Sequence, residues 1–328
     1  MSELSVRVAG LELMSPVIAG SGEATQTAEQ IRACLDAGAA AVVAKSTNES
    51  EAAKAQLRGA EYALLDENFN ARPLGPAGRG DSLFCRSGLA DAPFDRWVEL
   101  LAALDRDAGD AYVVPSLIVA DIDEAVRMAR TFEQAGLRWL ELNIAAPHAE
   151  EAAPGAIRTG VDLVRPLRDA LSLPLTVKVG GLDPVSSATA AHDAGADAVA
   201  LATRAQGFVS DLETRRPVLG TFAAIGGAWS LPMTCRHLAK TRQARPDADL
   251  IGTNGARNGR DVAQMLLAGA SAVQLTSVVL TDGPESLRRA IDELAAYLDA
   301  HGLNARELIG ESADAVHTYE EAAVERRH

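Results

Sequence analysis

The chain has 328 residues, enough for one large α/β domain or two ordinary ones, and its 48% apolar content supports a sizeable core. Its 31 basic and 45 acidic side chains leave a formal charge of −14, which argues against nucleic acid or an anionic membrane as partner. Cys34, Cys85 and Cys235 have no metal-type spacing, no stretch reaches the roughly 20 apolar residues of a membrane helix, and MSELSVRVAG is not a signal-peptide start, so a soluble cytoplasmic protein in a reducing compartment is expected.

In chain order, LSVRVAGLELMSP reads as a short hairpin turning at Gly10. Apolar runs of strand length follow at PVIAGSG (16–22), AVVAKS (41–46), AYVVPSLIV (111–119) and WLELNIA (139–145). Four more are LTVKVG (175–180), AVALATR (198–204), LIGTNG (250–255) and AVQLTS (272–277). Helical patterns lie between them, among them TAEQIRACLDAG, DIDEAVRMARTFEQAG and DPVSSATAAHDAG. These open on Thr or Asp, which cap helix N-termini, and close on Gly, which suits a left-handed C-terminal position.

Eight strand–helix units predict a (β/α)8 TIM barrel, an α/β fold, as a single domain over residues 1–328, with the N-terminal β-hairpin plugging its amino end. The first strand is not followed by a G-x-G-x-x-G turn, which disfavours an open doubly wound sheet. Two connections, about 47–92 and 205–230, are too long for turns. Both follow the carboxyl end of a strand, so both are expected to overhang the face on which barrel enzymes build their sites.

The strand ends define the candidate site. They carry Ala19, Gly20 and Ser21, then Lys45 and Ser46, Asn143, Lys178, Thr203 and Arg204, Asn254 and Gly255, and Thr276 and Ser277. A lysine aimed into a barrel must find an anion or a strong acceptor, or lose its charge. Two on one face point to an electron-rich ligand, with a structural ion pair as the bland alternative. The ends TNG and LTS, with helices expected to start near Asn258 and Pro284, suit a phosphate.

Taken together, SPVIAGSG, AVVAKST, ELNIAAPH, LTVKVGG, DLETRRPVLG, IGGAWSLP, IGTNGARNGRDVAQMLLAGASAVQL and GLNARELIG resemble the dihydroorotate dehydrogenase family. These flavin-dependent barrels include the dihydropyrimidine dehydrogenases, and the similarity runs from about residue 4 to residue 310. Each motif is weak alone; their order and spacing are strong. The resemblance implies a bound FMN and an oxidoreductase of the CH-CH dehydrogenase/reductase type. Ala19, Gly20 and Ser21 would pass beside the ring, Lys45, Ser46 and Asn143 would meet its polar edge, and Lys178 would stabilise negative charge there. Gly226 and Gly227 would form a turn over the ribityl chain and phosphate, with Asn254, Gly255, Thr276 and Ser277 holding the phosphate. Positions 254 and 276 are typically glycine in the family.

The same resemblance exposes a departure. The family's base, a cysteine or serine that removes a proton from substrate carbon, falls at Ala146 in the pattern Asn-x-x-Cys-Pro. Alanine cannot do this work. Other substrate positions also differ: Cys85 stands where an asparagine would read a pyrimidine, and Thr203 and Arg204 replace an Asn-Thr or Asn-Ser pair. Lys45 and Asn143 are candidate substrate contacts as well. Cys85, beside Arg86, and His148, after Pro147, are the candidates to carry the proton; the bland alternatives are a small buried residue and a surface loop histidine. The flavin side is retained and the substrate side rewritten. An FMN-dependent oxidoreductase acting on a C–C or C–N bond of a small substrate other than dihydroorotate is expected. A silent flavin-binding subunit or regulator, and a barrel binding another phosphorylated ligand, are the rival readings. A homodimer and a separate electron-transfer partner are the expected associations.

Overall fold

A computed structural model describes residues 3–48, 60–119, 121–145, 160–201 and 204–317. The expected barrel is present. Its parallel strands are Val17–Ala19, Ala41–Val43, Tyr112–Val114 continued by Ser116–Leu117, Leu140–Asn143, Leu175–Lys178, Ala198–Leu201, Leu250–Thr253 and Ala272–Leu275. The third strand is broken at Pro115, which has no N–H to offer the ladder. Its first half pairs with Ala41–Val43 and its second with Leu140–Asn143, and this closes the ring. Almost every residue of these strands is buried, as a parallel sheet wrapped by helices requires.

The caps read from sequence are formed. Thr27, Asp121 and Asp183 accept hydrogen bonds from Gln30 N, Glu124 N and Ser186 N, fixing the starts of helices Ala28–Asp36, Ile122–Gln134 and Pro184–Asp193. The helices stop where Gly38, Gly136 and Gly195 take φ of +92°, +89° and +105°. The N-terminal hairpin pairs Val6–Val8 with Leu11–Leu13 and turns through Ala9 and Gly10, both at positive φ. Ala9 N donates to Asp249 Oδ2 at 2.8 Å, just before the seventh barrel strand, so the hairpin lies at the amino end as expected.

Helix Gly259–Leu267 begins against helix Glu285–His301 with no room for a side chain. A Cβ on Gly259 would lie 2.3 Å from Leu294 N and 2.5 Å from Ala290 O. Both are backbone atoms, so two helices would have to separate. Gly259→Ala is expected to cost about 1–3 kcal/mol, the scale of overpacking, read as a lower denaturant midpoint at unchanged slope.

Among the described residues, both long connections carry strands. Glu61–Leu65, Ala71–Arg72 and Ser82–Arg86 from the first join Ala205–Gly207 and Ala223–Gly227 from the second in one five-stranded antiparallel sheet. Cys85 is therefore on a strand, opposite Tyr62 and Ala224, and Gly226 and Gly227 end a strand rather than make a turn. The sheet's period-two alternation sorts its faces. Leu83 and Cys85 pack with Leu64 and Leu280, the latter from the helix after the last barrel strand, while Phe84 packs with Leu65 and Ala223 on the opposite face. The C-terminal end of the barrel differs too: a short helix, Ser277–Asp282, starts directly after the eighth strand and precedes the one expected near Pro284.

Candidate active site

The strand ends and the five-stranded sheet, which lies over them as a lid, line one cavity. Its wall includes Ser21, Lys45, Ser46, Cys85, Asn143, Lys178, Arg204, Gly227, Asn254, Gly255, Thr276 and Ser277. Most of the residues singled out in the sequence are thus brought to one place. Ala19, Gly20 and Gly226 do not line it: Ala19 is fully buried in the strand, and Gly20 and Gly226 face protein atoms. Ala146, His148 and Thr203 lie outside the described residues.

Lys45 and Lys178 are both buried, and their surroundings differ. Lys45 Nζ is 2.7 Å from Glu23 Oε1, which also accepts from Gly88 N at 3.1 Å. Lys45 therefore forms the structural ion pair that was the bland alternative. Lys178 Nζ donates instead to the neutral amide of Gln274, at 2.9 Å. Burial pulls the pKa of both lysines below the ordinary ammonium value; Glu23 opposes this at Lys45 and Glu141 opposes it at Lys178, while the Arg204 charge adds to the depression at each.

Cys85 is 1% exposed, and its thiol meets Arg204, not Arg86. Arg204 Nη1 donates to Cys85 Sγ, and Nη2 donates to Ser87 Oγ at 3.1 Å. Arg86 pairs with Glu61 at the rim of the sheet. The expected neighbour was wrong because side chains alternate along the strand and a guanidinium 119 residues away reaches across. Burial raises the Cys34 and Cys235 thiols to about 11, so these two are poorer nucleophiles than an ordinary cysteine. Cys34 is in the core, whereas Cys235 is only partly buried.

At the opposite end, Asn254 has φ +71°, the left-handed region where glycine is at ease and asparagine is among the side chains that tolerate it best. This explains how the departure from glycine is accommodated. Gly255 follows at φ +107°, and a Cβ there would sit 2.5 Å from Leu231 N. Thr276 is accommodated by glycine opposite: a Cβ on Gly20 would come 2.1 Å from Thr276 Oγ1. Thr276 Oγ1 is buried and has no hydrogen-bond partner among the described residues. A buried hydroxyl without a partner is costly in a finished interior and is suited to a polar group arriving in the cavity.

A family model for dihydroorotate dehydrogenase matches residues 78–298. The chain belongs to the dihydroorotate dehydrogenase family. Curated relatives include the protein named dihydroorotate dehydrogenase B (NAD(+)), catalytic subunit, from Desulforudis audaxviator, 30% identical over 93% of this chain and 96% of its own length. Proteins of the same name from Thermoplasma acidophilum and Methanothermobacter thermautotrophicus are each 26% identical, over 91% and 95% of this chain and 95% and 99% of theirs.

Several site residues escaped the sequence reading: Glu23, Ser87, Ser116, Glu141 and Gln274. The last two did leave a signal. Glu141 and Gln274 interrupt apolar strands, and each lies two residues before a strand-end position already singled out, Asn143 and Thr276, which puts each pair on the same inward face.

Proposed function

We propose that the chain is an FMN-dependent oxidoreductase of the CH-CH type, diverged within its family to act on a C–C or C–N bond of a small substrate other than dihydroorotate. The observation that carries this reading is Lys178: a lysine buried at the wall of the cavity, bonded to an uncharged amide and, as an ammonium, suited to a ligand that takes on negative charge. The cavity residues fit FMN. The left-handed Asn254–Gly255 turn, the unpartnered Thr276 hydroxyl and Ser277 would hold its phosphate, and Lys45, Asn143 and Lys178 would meet the polar edge of the ring. FMN supplies hydride transfer when bound.

The protein's own residues would bind the substrate under the lid sheet, orient it and move the proton. Ala146 has no ionisable group, so the family's usual base is missing. Cys85 replaces it best: its sulfur faces the cavity and accepts from Arg204, a cation beside any negative charge the sulfur acquires. Arg204 and Ser87 would also bind polar substrate groups. Ala146 taken alone would favour a silent flavin-binding subunit; Lys178 opposes that, because a passive site has little use for an ammonium held at so high a desolvation cost. The names of the three relatives given above, each a catalytic subunit, support a separate electron-transfer partner, and a homodimer is the expected self-association.

Anaerobic mixing with dihydroorotate tests the divergence. Reduction of the bound flavin is expected to stay far below the ordinary enzyme rate of about 10 per second. Reduction at that ordinary rate would overturn the proposed change of substrate. Bleaching of the flavin by some other small saturated compound, or recolouring of the reduced flavin by an unsaturated one, would separate the enzyme from the silent subunit.

A further inference from the structure

Along and beneath the cavity floor, six polar side chains form one hydrogen-bonded row. Ser21 Oγ lies 3.2 Å from Ser46 Oγ, which lies 2.9 Å from Ser116 Oγ, and Ser116 donates to Glu141 Oε1 at 3.0 Å. From the other side, Lys178 Nζ donates to Gln274 Oε1 at 2.9 Å, and Gln274 Nε2 donates to Glu141 Oε2 at 2.7 Å. Glu141 is 0% exposed, and the hydrogen bonds to its carboxylate among the described residues come from neutral groups. An unexposed carboxylate with two neutral donors, one on each oxygen, is an expensive arrangement unless it acts on something.

With Glu141 ionised and Lys178 protonated, the direction of every bond is fixed. An ionised carboxylate only accepts, so the single proton of Ser116 is committed to Glu141. Ser46 must then donate to Ser116, and Ser21 to Ser46. On the other arm an ammonium only donates, so Gln274 must turn its carbonyl to Lys178 and its NH2 to Glu141. All donors point toward Glu141. Lys178 spends one of its three N–H groups on the row and keeps two, and Ser21 Oγ, its proton used inward, offers only lone pairs to the cavity.

We infer that Glu141 is a positioning residue: acting through Gln274, it holds Lys178 as an ammonium at the cavity wall, and acting through the serines it makes Ser21 an acceptor there. The intervening amide matters. A carboxylate in direct contact would tie up the ammonium and cancel its field, as Glu23 does for Lys45, whereas one amide away it supports the charge and leaves it available to a ligand. Burial has the largest effect on Lys178 and disfavours the ammonium; of the charged groups that act on it, Arg204 adds to that effect and Glu141 opposes it.

The test is acetylation of Lys178 by acetic anhydride on the full chain, first freed of bound flavin by dialysis against concentrated bromide, followed across pH by peptide mass spectrometry. Only the neutral amine reacts. Glu141→Gln keeps the shape of the residue and removes its charge; Gln274→Met removes the linking amide and nearly keeps its volume. Each is expected to move the labelling profile to lower pH, raising the rate near neutrality by about tenfold, the factor that accompanies one unit of pKa. Adding Gln274→Glu to Glu141→Gln, which puts a carboxylate on Lys178 itself, is expected to return the profile toward the parent. Should Glu141→Gln fail to fold, Gln274→Met carries the comparison. Single-variant profiles that coincide with the parent, or a double variant that stays with the single ones, would overturn the inference. This labelling does not depend on flavin binding. The second readout rests on the proposed function: in protein loaded with FMN, the midpoint potential is expected to fall in the single variants and to recover in the double.

Discussion

Replacing Cys85 with alanine is expected to slow the proton-coupled step at the bound flavin by about 10²–10⁴-fold, the contribution of one well-placed general acid or base. In the proposed function the family's usual base position falls at Ala146, which has no ionisable group. Cys85 is brought from the lid sheet to the cavity, with its sulfur accepting from Arg204 and 3.7 Å from Ser87 Oγ. Truncating it removes only one sulfur from the small Leu64–Leu83–Cys85 cluster, so the protein is expected to fold and to keep its flavin. Stopped-flow absorbance with a substrate that reduces the parent reads the step directly. A Cys85→Ala variant as fast as the parent would pass the role to His148, tested in turn as His148→Ala; full rates in both would leave neither as the proton carrier.

Lys178→Ala is expected to slow flavin reduction by about 10²–10³-fold, the loss that follows removal of one preorganised group from a developing charge. The melting temperature is expected to change much less. The ammonium is already disfavoured by burial, so its removal relieves a desolvation cost while Gln274 and Ser116 still satisfy Glu141. Lys45→Ala should behave differently. Its removal leaves the Glu23 carboxylate, only partly exposed, without its cation, so stability is expected to suffer more there and the rate less. Paired measurements of melting temperature and reduction rate on the two variants separate a charge held for chemistry from one held for structure; equal rates of reduction for Lys178→Ala and the parent would contradict the assigned role.

The barrel was legible because each strand is a local apolar run and each helix carries its own stop and start signals. Thr27, Asp121 and Asp183 cap within three residues of themselves, and Gly38, Gly136 and Gly195 end the same helices. What was not legible is non-local. The lid sheet joins Cys85 to Ala224 and Phe84 to Ile225 across more than a hundred residues of barrel, and a segment such as Ala71–Arg72 is too short to announce itself as a strand. The same limit governed the site. Lysine at the ends of two strands could be read as a pair of charges, but its meaning depended on partners elsewhere: Glu23 turns Lys45 into a structural ion pair, whereas Gln274 leaves Lys178 open. Cys85 was found by comparison with the family's motif and then given the wrong neighbour, since adjacent residues on a strand face opposite ways.

The most direct measurement is the absorption spectrum and flavin content of the purified full-length chain. The cavity built around Lys178, Asn143, Gly255 and Thr276 predicts a yellow protein that releases about one FMN per chain on acid denaturation, as a tightly but non-covalently held cofactor would. A colourless protein that also fails to take up added FMN would contradict it.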